Sequence, residues 1–297
     1  GCGAGEDDPR HGEVGARGRD EGGRGVELAA AVSPNRSDNF EWRILANATF
    51  NESEVISLGG DVEGESITVG GSFFHGELRQ VEGQPMAQLY GWAWKRDASG
   101  NIVHADDGRP LRTDQQVSFG SGLPTSWGGI TNSLDYKGIS FSFLIDWVAG
   151  NKVISGTHVN AYRHGLDKGS LLGREEGFVV GEGVNQEGQP NTVPVPVQTW
   201  HETIRSRRLA EISVFDGGSW QLRQISLGYD FTKHLPENKY IRGVRLNLVA
   251  NNVAVLSQDI PHVHPDQNAI ISDRQAGLEA TGMPVTRDIG FNLNIKF

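Results

Sequence analysis

The sequence lacks several features that define common protein classes. Its single cysteine, Cys2, excludes an internal disulfide bond. It has no apolar run of about 18 residues, the length that a transmembrane helix requires. Positive charge is scarce, since 27 Lys and Arg stand against 37 Asp and Glu. The resulting net charge of −10 argues against nucleic acid as the main partner.

The start of the chain lacks a basic segment followed by an apolar one, so we expect any export signal to lie on a longer precursor. Residues 1–25 are mostly Gly, Arg, Asp and Glu. Such a segment cannot bury enough apolar surface to offset its ordering entropy. We therefore predict that residues 1–25 are disordered or foreign to the fold, and that the folded part spans 26–297.

Apolar and polar residues alternate in short segments from Val26 onward, which is typical of strands with one apolar and one polar face. The clearest segment is 139–147, although Leu144 interrupts its alternation. No stretch shows a helical period with caps. The pattern predicts roughly nine strands, near residues 26–32, 40–50, 66–81, 90–94, 130–136, 139–147, 225–231, 244–250 and 290–297.

The predicted connections alternate between short and long. Short ones are expected at 33–38, 82–85, 137–138 and 233–238, and long ones at 51–65, 96–127, 148–218 and 254–287. Outer-membrane barrels have this pattern, with short periplasmic turns and long extracellular loops. A compact soluble domain rarely contains connections longer than about 12–15 residues.

The last predicted strand ends on an aromatic residue, with Phe291, Leu293, Ile295 and Phe297 on one face. A transmembrane barrel would explain this ending, because the last strand closes the barrel with its apolar face against lipid and its polar face toward the lumen. Trp92, Trp94, Trp147, Tyr90 and Tyr136 are predicted at strand ends on the apolar face, where membrane interfaces collect aromatic residues. The fold class is therefore predicted as all-β, an antiparallel up-and-down transmembrane β-barrel segment. The alternative is a soluble β-sandwich with aromatic anchors in its core.

Several ordered segments resemble the SusC/RagA-type TonB-dependent outer-membrane transporters. These segments are SPNRSDNFEW (33–42), EGQPMAQLYGW (82–92), KRDASGNI (95–102), LDYKGISFSFL (134–144), LRQISLGYDF (222–231), RLNLVANN (245–252), GLE (277–279) and GMPVTR (282–287). The resemblance covers residues 26–297, and the order and spacing of the segments make the set specific.

This resemblance implies a C-terminal part of the barrel, roughly the last nine strands of 22, without the plug and the TonB-contacting segment. It also implies uptake of an oligosaccharide or peptide, with a SusD-like surface lipoprotein as partner and with TonB acting through a region absent here. The expected location is the outer membrane of a Gram-negative cell, with long loops extracellular and the C-terminus periplasmic. Because an open sheet edge is costly in lipid, we expect an unpaired edge at 26–32, and we do not expect this chain alone to transport.

Residues with possible site chemistry are few. His262 and His264 lie two positions apart near Asp266, a spacing compatible with a metal-binding pair, but no fourth ligand is apparent and an extracellular loop is the simpler interpretation. Asp97, Asn101, Asp106 and Asp107 do not have calcium-loop spacing, so a turn around 99–101 is expected instead. The segment 120–122 (GSG) lacks the remainder of a phosphate loop, and the basic segment 205–208 (RSRR) is interpreted as a solvated face.

No catalytic motif is recognisable, so no enzyme, catalytic residue, metal or cofactor is predicted. Loops 148–218 and 254–287 are the candidates for ligand or lipoprotein contact, and Trp200, His201, His262 and His264 are their possible contributors. Two other classes remain open: a soluble β-rich carbohydrate-binding or adhesion module, and an outer-membrane enzyme or passive pore.

Overall fold

The structure, a computed structural model, describes residues 20–59, 66–69, 75–236, 240–268 and 276–297. In this part of the chain the strands are β1 (Asp20–Ser37), β2 (Phe40–Ser57), β3 (Ser66–Thr68), β4 (Gly76–Val81), β5 (Gln88–Gly91), β6 (Val117–Ser121), β7 (Ser126–Tyr136), β8 (Ile139–Ala149), β9 (Lys152–Ser155), β10 (Phe178–Val180), β11 (Pro194–Pro196), β12 (Val214–Asp216), β13 (Ser219–Asp230), β14 (Gly243–Gln258), β15 (Leu278–Glu279) and β16 (Asp288–Lys296). Two helices accompany them, α1 (Gly156–Arg163) and α2 (Val197–Ser206). Neither of these two helices is long and apolar enough to cross a membrane.

Seven strands form one sheet, the main sheet, in the order β1-β2-β7-β8-β13-β14-β16. Every neighbouring pair is antiparallel, and the seven strands follow one another across the sheet in the same order as along the chain. In the described part of the chain, β1 and β16 are its edges, so the sheet is open. The edge expected at 26–32 lies within β1.

The two faces of the main sheet differ sharply in chemistry. Because side chains alternate along each strand and paired residues share a face, the register aligns whole rows across the sheet. One apolar row contains Phe291, Leu248, Leu227, Phe141, Leu134 and Trp42. The adjacent row on the other face contains Asn292, Asn247, Gly228, Ser140, Asp135 and Glu41.

Connections at one end of the main sheet are short and those at the other end are long. Asp38–Asn39, Lys137–Gly138 and residues 231–242 make the short connections. Lys137 and Gly138 have φ of 48° and 93°, a two-residue turn whose twist matches that of the flanking strands. The long connections are 58–125, 150–218 and 259–287, and we call their described residues the loop cap.

The strand count of about nine was wrong for this sheet. The strands predicted at 66–81 and 90–94 lie in a separate four-stranded sheet, β3-β4-β5-β6, inside the loop cap. Alternation indicates only that a strand has one buried side, and Leu78 and Leu89 are buried in the loop cap itself. The turn at 82–85 consequently contacts the loop-cap end of β2, where Gly83 N donates to Val55 O at 2.8 Å. Removing two adjacent strands from the count leaves the alternation of short and long connections unchanged.

Other boundaries differ from the prediction too. β1 begins at Asp20, so residues 20–25 belong to the main sheet, because backbone pairing with the long strand β2 needs no apolar side chain. The remainder of the predicted disordered segment lies outside the described residues. Residues 33–37 continue β1 and residues 51–57 continue β2, whereas the sequence pattern predicts connections at 33–38 and 51–65. The helices α1 and α2 were missed because each is short and α2 lacks a side-chain cap.

Buried apolar side chains among the described residues lie in the loop cap or next to it, and not in the central main sheet. One cluster joins the three connections through Leu78, Leu89, Ile154, Ala276 and Leu278. A second joins Val153 to Ile260 and Val263. The long connections therefore form a packed body with its own core.

Candidate functional site in the loop cap

The two loops predicted to contact ligand meet at a groove on the loop cap. One wall comes from α1 and the residues after it, including Asn160 and His164, and the other includes His262, His264 and Thr281. The groove has a volume of about 380 Å³. Small-ligand sites usually measure about 300–1,000 Å³, so the space suits part of a larger ligand.

Buried Glu279 fixes the wall of the groove that contains Thr281. Its carboxylate accepts hydrogen bonds from Ser155 Oγ at 2.8 Å, Thr157 N at 2.9 Å and Thr157 Oγ1 at 2.8 Å. Ser155 is the N-cap of α1, and its hydroxyl also accepts from His158 N. A negative charge at a helix N-terminus is favourable because it meets unpaired backbone N–H groups. The segment 276–281 is therefore tied to the start of α1.

His262 is held by Asp167, the residue that caps the 3₁₀ turn Lys168–Leu171. The distance from His262 Nε2 to Asp167 Oδ2 is 2.8 Å, and Gly169 N donates to the other carboxylate oxygen at 2.6 Å. Burial by itself raises the pKa of Asp167, but the hydrogen bonds from His262 and Gly169 and the nearby imidazoles outweigh it and lower that pKa. The contact joins the second long connection to the third.

His158, on α1, completes a Ser-His-Asp group that the sequence did not reveal. Its Nδ1 lies 2.9 Å from Ser213 Oγ, and its Nε2 lies 3.7 Å from Asp167 Oδ2. Burial, with the charge of His262, lowers the pKa of His158 despite the opposing charge of Asp167. Ser213 has no exposed surface, and the carboxylate is beyond hydrogen-bond distance. A nucleophile must reach its substrate, so this geometry indicates a structural contact rather than a hydrolytic triad.

Trp200 and His201, on α2, lie against the interior of the loop cap. His201 Nε2 is 3.0 Å from Leu172 O, so this nitrogen carries the proton, and Nδ1 accepts from the Tyr162 hydroxyl at 2.8 Å. Burial, with the charge of Asp167, raises the pKa of Tyr162 to about 12, so this hydroxyl remains a donor. Trp200 stacks on buried His104 with ring centres 6.2 Å apart. Of the four residues predicted for ligand contact, His262 and His264 line the groove, whereas Trp200 and His201 stabilise the loop cap.

The side chains of the weaker chemical candidates contact other groups of the protein. His262 lies in a turn with φ of 66°, and its partner is Asp167, whereas His264 lies beside Asp266. Asp97 accepts from Ser99 N and Asn101 N, both at 2.9 Å, which confirms the turn predicted there. The Ser121 hydroxyl of segment 120–122 donates to Met86 O at 2.7 Å. The described residues contain no group of three or more His, Cys, Asp or Glu arranged to hold a metal ion.

Two sets of contacts in this region were not predicted. The His158–Asp167–Ser213 group joins residues up to 55 positions apart, and no local motif signals it. The second is Arg223, whose guanidinium donates to Asp146 of β8 and Asp266 of the loop cap. Here the sequence carries a signal, because Leu222 and Ile225 share the apolar face although they lie three positions apart. This spacing indicates an extra residue in the strand.

Comparison with known proteins agrees with the family resemblance. TonB-dependent receptor P26 of Formosa agariphila is 23% identical over 92% of this chain, and TonB-dependent receptor P39 of the same organism is also 23% identical over 92%. The chain spans only 29% and 30% of these relatives. No protein-family model matches it.

Solved structures of a RagAB peptide transporter match the fold. One of them matches with a TM-score of 0.65 at 15% identity, and the match covers 93% of this chain and 29% of the transporter chain. The RagAB peptide importer in a closed-closed state matches with a TM-score of 0.64 at 14% identity. This match covers 94% of this chain and 30% of the importer chain. The resemblance to SusC/RagA-type receptors and the predicted antiparallel barrel-type fold are thereby confirmed, with the barrel open in these residues.

Proposed function

We propose that this chain is the C-terminal part of the barrel of an outer-membrane TonB-dependent transporter that imports a nutrient such as an oligosaccharide or peptide. The exposed apolar face of the main sheet carries the proposal. Val26 is 56% exposed, Leu248 50% and Phe291 74%, and these residues come from β1, β14 and β16. A water-soluble sandwich would bury such a face against a second sheet. A barrel in lipid would expose it.

Aromatic residues at both ends of this face support the same conclusion. Tyr136 and Tyr229 lie at the end with short connections, and Trp147 and Trp220 stack near the loop cap with ring centres 5.4 Å apart. From Ile139 to Trp147 the strand spans about 26 Å, or about 20 Å along the membrane normal at a tilt of about 40°. Tyr90, Trp92 and Trp94 lie in the loop cap instead, so their assignment to this face was wrong.

The loop cap is proposed to face the exterior, and the short connections and C-terminus the periplasm. The groove between α1 and the wall that contains His262, His264 and Thr281 is the proposed ligand or lipoprotein contact. A SusD-like partner and an energy-transducing contact with TonB, made outside these residues, follow from the family resemblance. The similar solved structures are those of a peptide transporter, RagAB, which favours peptides without excluding oligosaccharides. Transport rather than catalysis is proposed, since the Ser-His-Asp group lacks an accessible nucleophile.

The coding sequence that adjoins this chain tests the proposal directly. We expect a plug domain and a TonB-contacting segment upstream in the same frame. Deleting the complete gene should abolish growth on a peptide or oligosaccharide mixture as sole carbon source, and deletion of TonB should give the same defect. A soluble protein that purifies without detergent, with no plug-encoding sequence in frame, would instead establish a β-rich binding module.

A further inference from the structure

Three arginines lie close together in the loop cap. Arg109 and Arg112 come from the segment between β5 and β6, and Arg207 caps the end of α2. The Arg112 guanidinium lies over the Trp92 ring, with 3.8 Å between Cζ and the ring centre. Its Nη1 donates to Arg207 O at 3.1 Å. Arg207 thus lies next to two arginines that are about 100 positions away in the sequence.

Backbone pairing holds these segments together. Trp92 pairs with Leu209, and Ala210 N donates to Trp92 O at 2.9 Å. Trp94 pairs with Arg112. The arginines therefore sit on a rigid frame, and binding to them would require little reordering.

Among the described residues, a carboxylate forms an ion pair with only one of these three arginines. Arg109 pairs with Asp107 at 2.6 Å. Arg112 and Arg207 are both half-buried, and within the described ranges neither has a carboxylate at ion-pair distance. Burial and the charges of Arg109 and Arg112 lower the pKa of Arg207, with Asp107 opposing them. A half-buried excess of positive charge is costly unless an anion compensates it.

The helix end explains only part of this arrangement. Cations near the last carbonyls of a helix are favourable, which accounts for Arg205 and the position of Arg207. It does not account for Arg109 and Arg112, which belong to another segment. The segment 205–208, predicted as a solvated face, is therefore divided: Arg205 and Arg208 are exposed, whereas Arg207 is half-buried beside the other two arginines.

We propose that Arg109, Arg112 and Arg207 form a subsite for one anionic group, a carboxylate, sulfate or phosphate, of the ligand that the transporter takes up. The proposal rests on the proposed function for the identity of that ligand as cargo. Guanidinium groups present a planar fork of N–H donors that matches the oxygens of such anions. The Trp92 ring beneath the Arg112 guanidinium and the bond from Nη1 to Arg207 O restrain this side chain, and its remaining N–H groups are the proposed donors to the anion.

Calorimetric titration of the full chain in detergent, together with any coding sequence that continues it, tests this subsite. Sodium acetate, sulfate and phosphate are separate probes, with chloride holding the ionic strength constant. We expect saturable binding of at least one probe. The double variant Arg112→Gln, Arg207→Gln should weaken it by about a hundredfold, because each removed charge-assisted contact is worth about tenfold. The probe that binds best distinguishes acidic peptides or uronic acids from sulfated or phosphorylated ligands.

Two further variants make the result decisive. Arg36→Gln removes one charge at the opposite end of the main sheet and should leave binding unchanged. Asp107→Asn removes the competing carboxylate and should tighten binding severalfold, even if the double variant does not fold. Equal affinity in parent and double variant, weaker binding in Asp107→Asn, or no saturable binding of any probe would overturn the subsite. Anion binding without nutrient uptake would support the subsite while contradicting the proposed transport, and uptake without anion binding would do the reverse.

Discussion

Glu279 shows how one side chain can hold a loop in place. Its fully buried carboxylate receives two hydroxyl donors and a backbone N–H at the start of α1. Removing a buried acceptor leaves its donors unsatisfied, at about 1–3 kcal/mol for each group. The residue therefore determines the stability of the segment that carries the groove, although it lies outside the groove.

Glu279→Ala should lower the free energy of unfolding of the loop cap by about 3 kcal/mol, and Glu279→Gln by less because the amide keeps one acceptor oxygen. Hydrogen exchange of residues 153–163 in the detergent-solubilised protein measures the effect. Glu176→Ala is the matched control, because Glu176 is an exposed glutamate of the connection 150–218, which also contains residues 153–163. Equal exchange in all three variants would show that the carboxylate is energetically unimportant.

His158 and Asp167 should make the loop cap sensitive to acid in two steps. The lowered pKa of His158 means that the unfolded chain binds a proton first, so stability is full above about pH 6.5 and falls as the pH drops below it. The lowered pKa of Asp167 adds a second loss as the pH falls below about 4. Limited proteolysis between pH 8 and pH 3 should show both steps. His158→Phe should reduce the upper step, to which the lowered pKa of His75 also contributes. Asp167→Asn should reduce the lower step, to which the lowered pKa values of Asp97, Asp107 and Asp266 also contribute. A parent profile without steps, or variants whose steps equal those of the parent, would contradict the assignment.

At the scale of elements, a bulge in β13 connects the main sheet to the loop cap. Leu222 and Gln224 pair with the consecutive residues Ile145 and Leu144 of β8, so Arg223 is an extra residue relative to β8. A bulge redirects its side chain, and Arg223 contacts Asp146 on β8 and Asp266 on the 3₁₀ turn Pro265–Asn268. One arginine thus links two strands of the sheet with the third long connection.

Arg223→Gln should release this connection from the sheet. Half-buried charge-assisted contacts are worth about 1.5–3 kcal/mol, so hydrogen exchange of residues 259–266 should accelerate by about 10- to 100-fold. Arg245→Gln is the matched control, because its ion pair with Asp230 at 3.2 Å is largely exposed and lies at the other end of the sheet. An equal effect of both substitutions would indicate a general charge effect instead of a specific link.

The sequence predicted those elements whose signal is local. The strand 139–147 and its turn at 137–138 follow from alternation and from a glycine able to adopt positive φ. Alternation could not separate the main sheet from β4 and β5, since Leu78 and Leu89 alternate toward the core of the loop cap. The contacts of His262 with Asp167 and of Glu279 with Ser155 could not be predicted, because they depend on how three long connections pack together.

At the scale of the whole molecule, the usual distribution of apolar residues is reversed. The loop cap has a buried core, whereas the main sheet exposes Leu227, Leu248 and Phe291. Each large apolar side chain left in water forgoes about 1.5–3 kcal/mol relative to burial. Over a face seven strands wide, such losses are unfavourable for a domain in water, which supports the lipid environment proposed above.

The sidedness of β14 tests this conclusion with two neighbouring residues. Leu248 lies in the apolar row and Asn247 in the polar one. In a Cys2→Ser background, Leu248→Cys and Asn247→Cys can each be labelled with an environment-sensitive fluorophore, in the chain with any coding sequence that continues it. In vesicles of brominated lipid, we expect strong quenching at 248 and little at 247, because only the apolar face contacts lipid. Equal quenching, or a protein that remains soluble without detergent and is quenched at neither position, would support the packed soluble sandwich and refute the membrane-facing sheet.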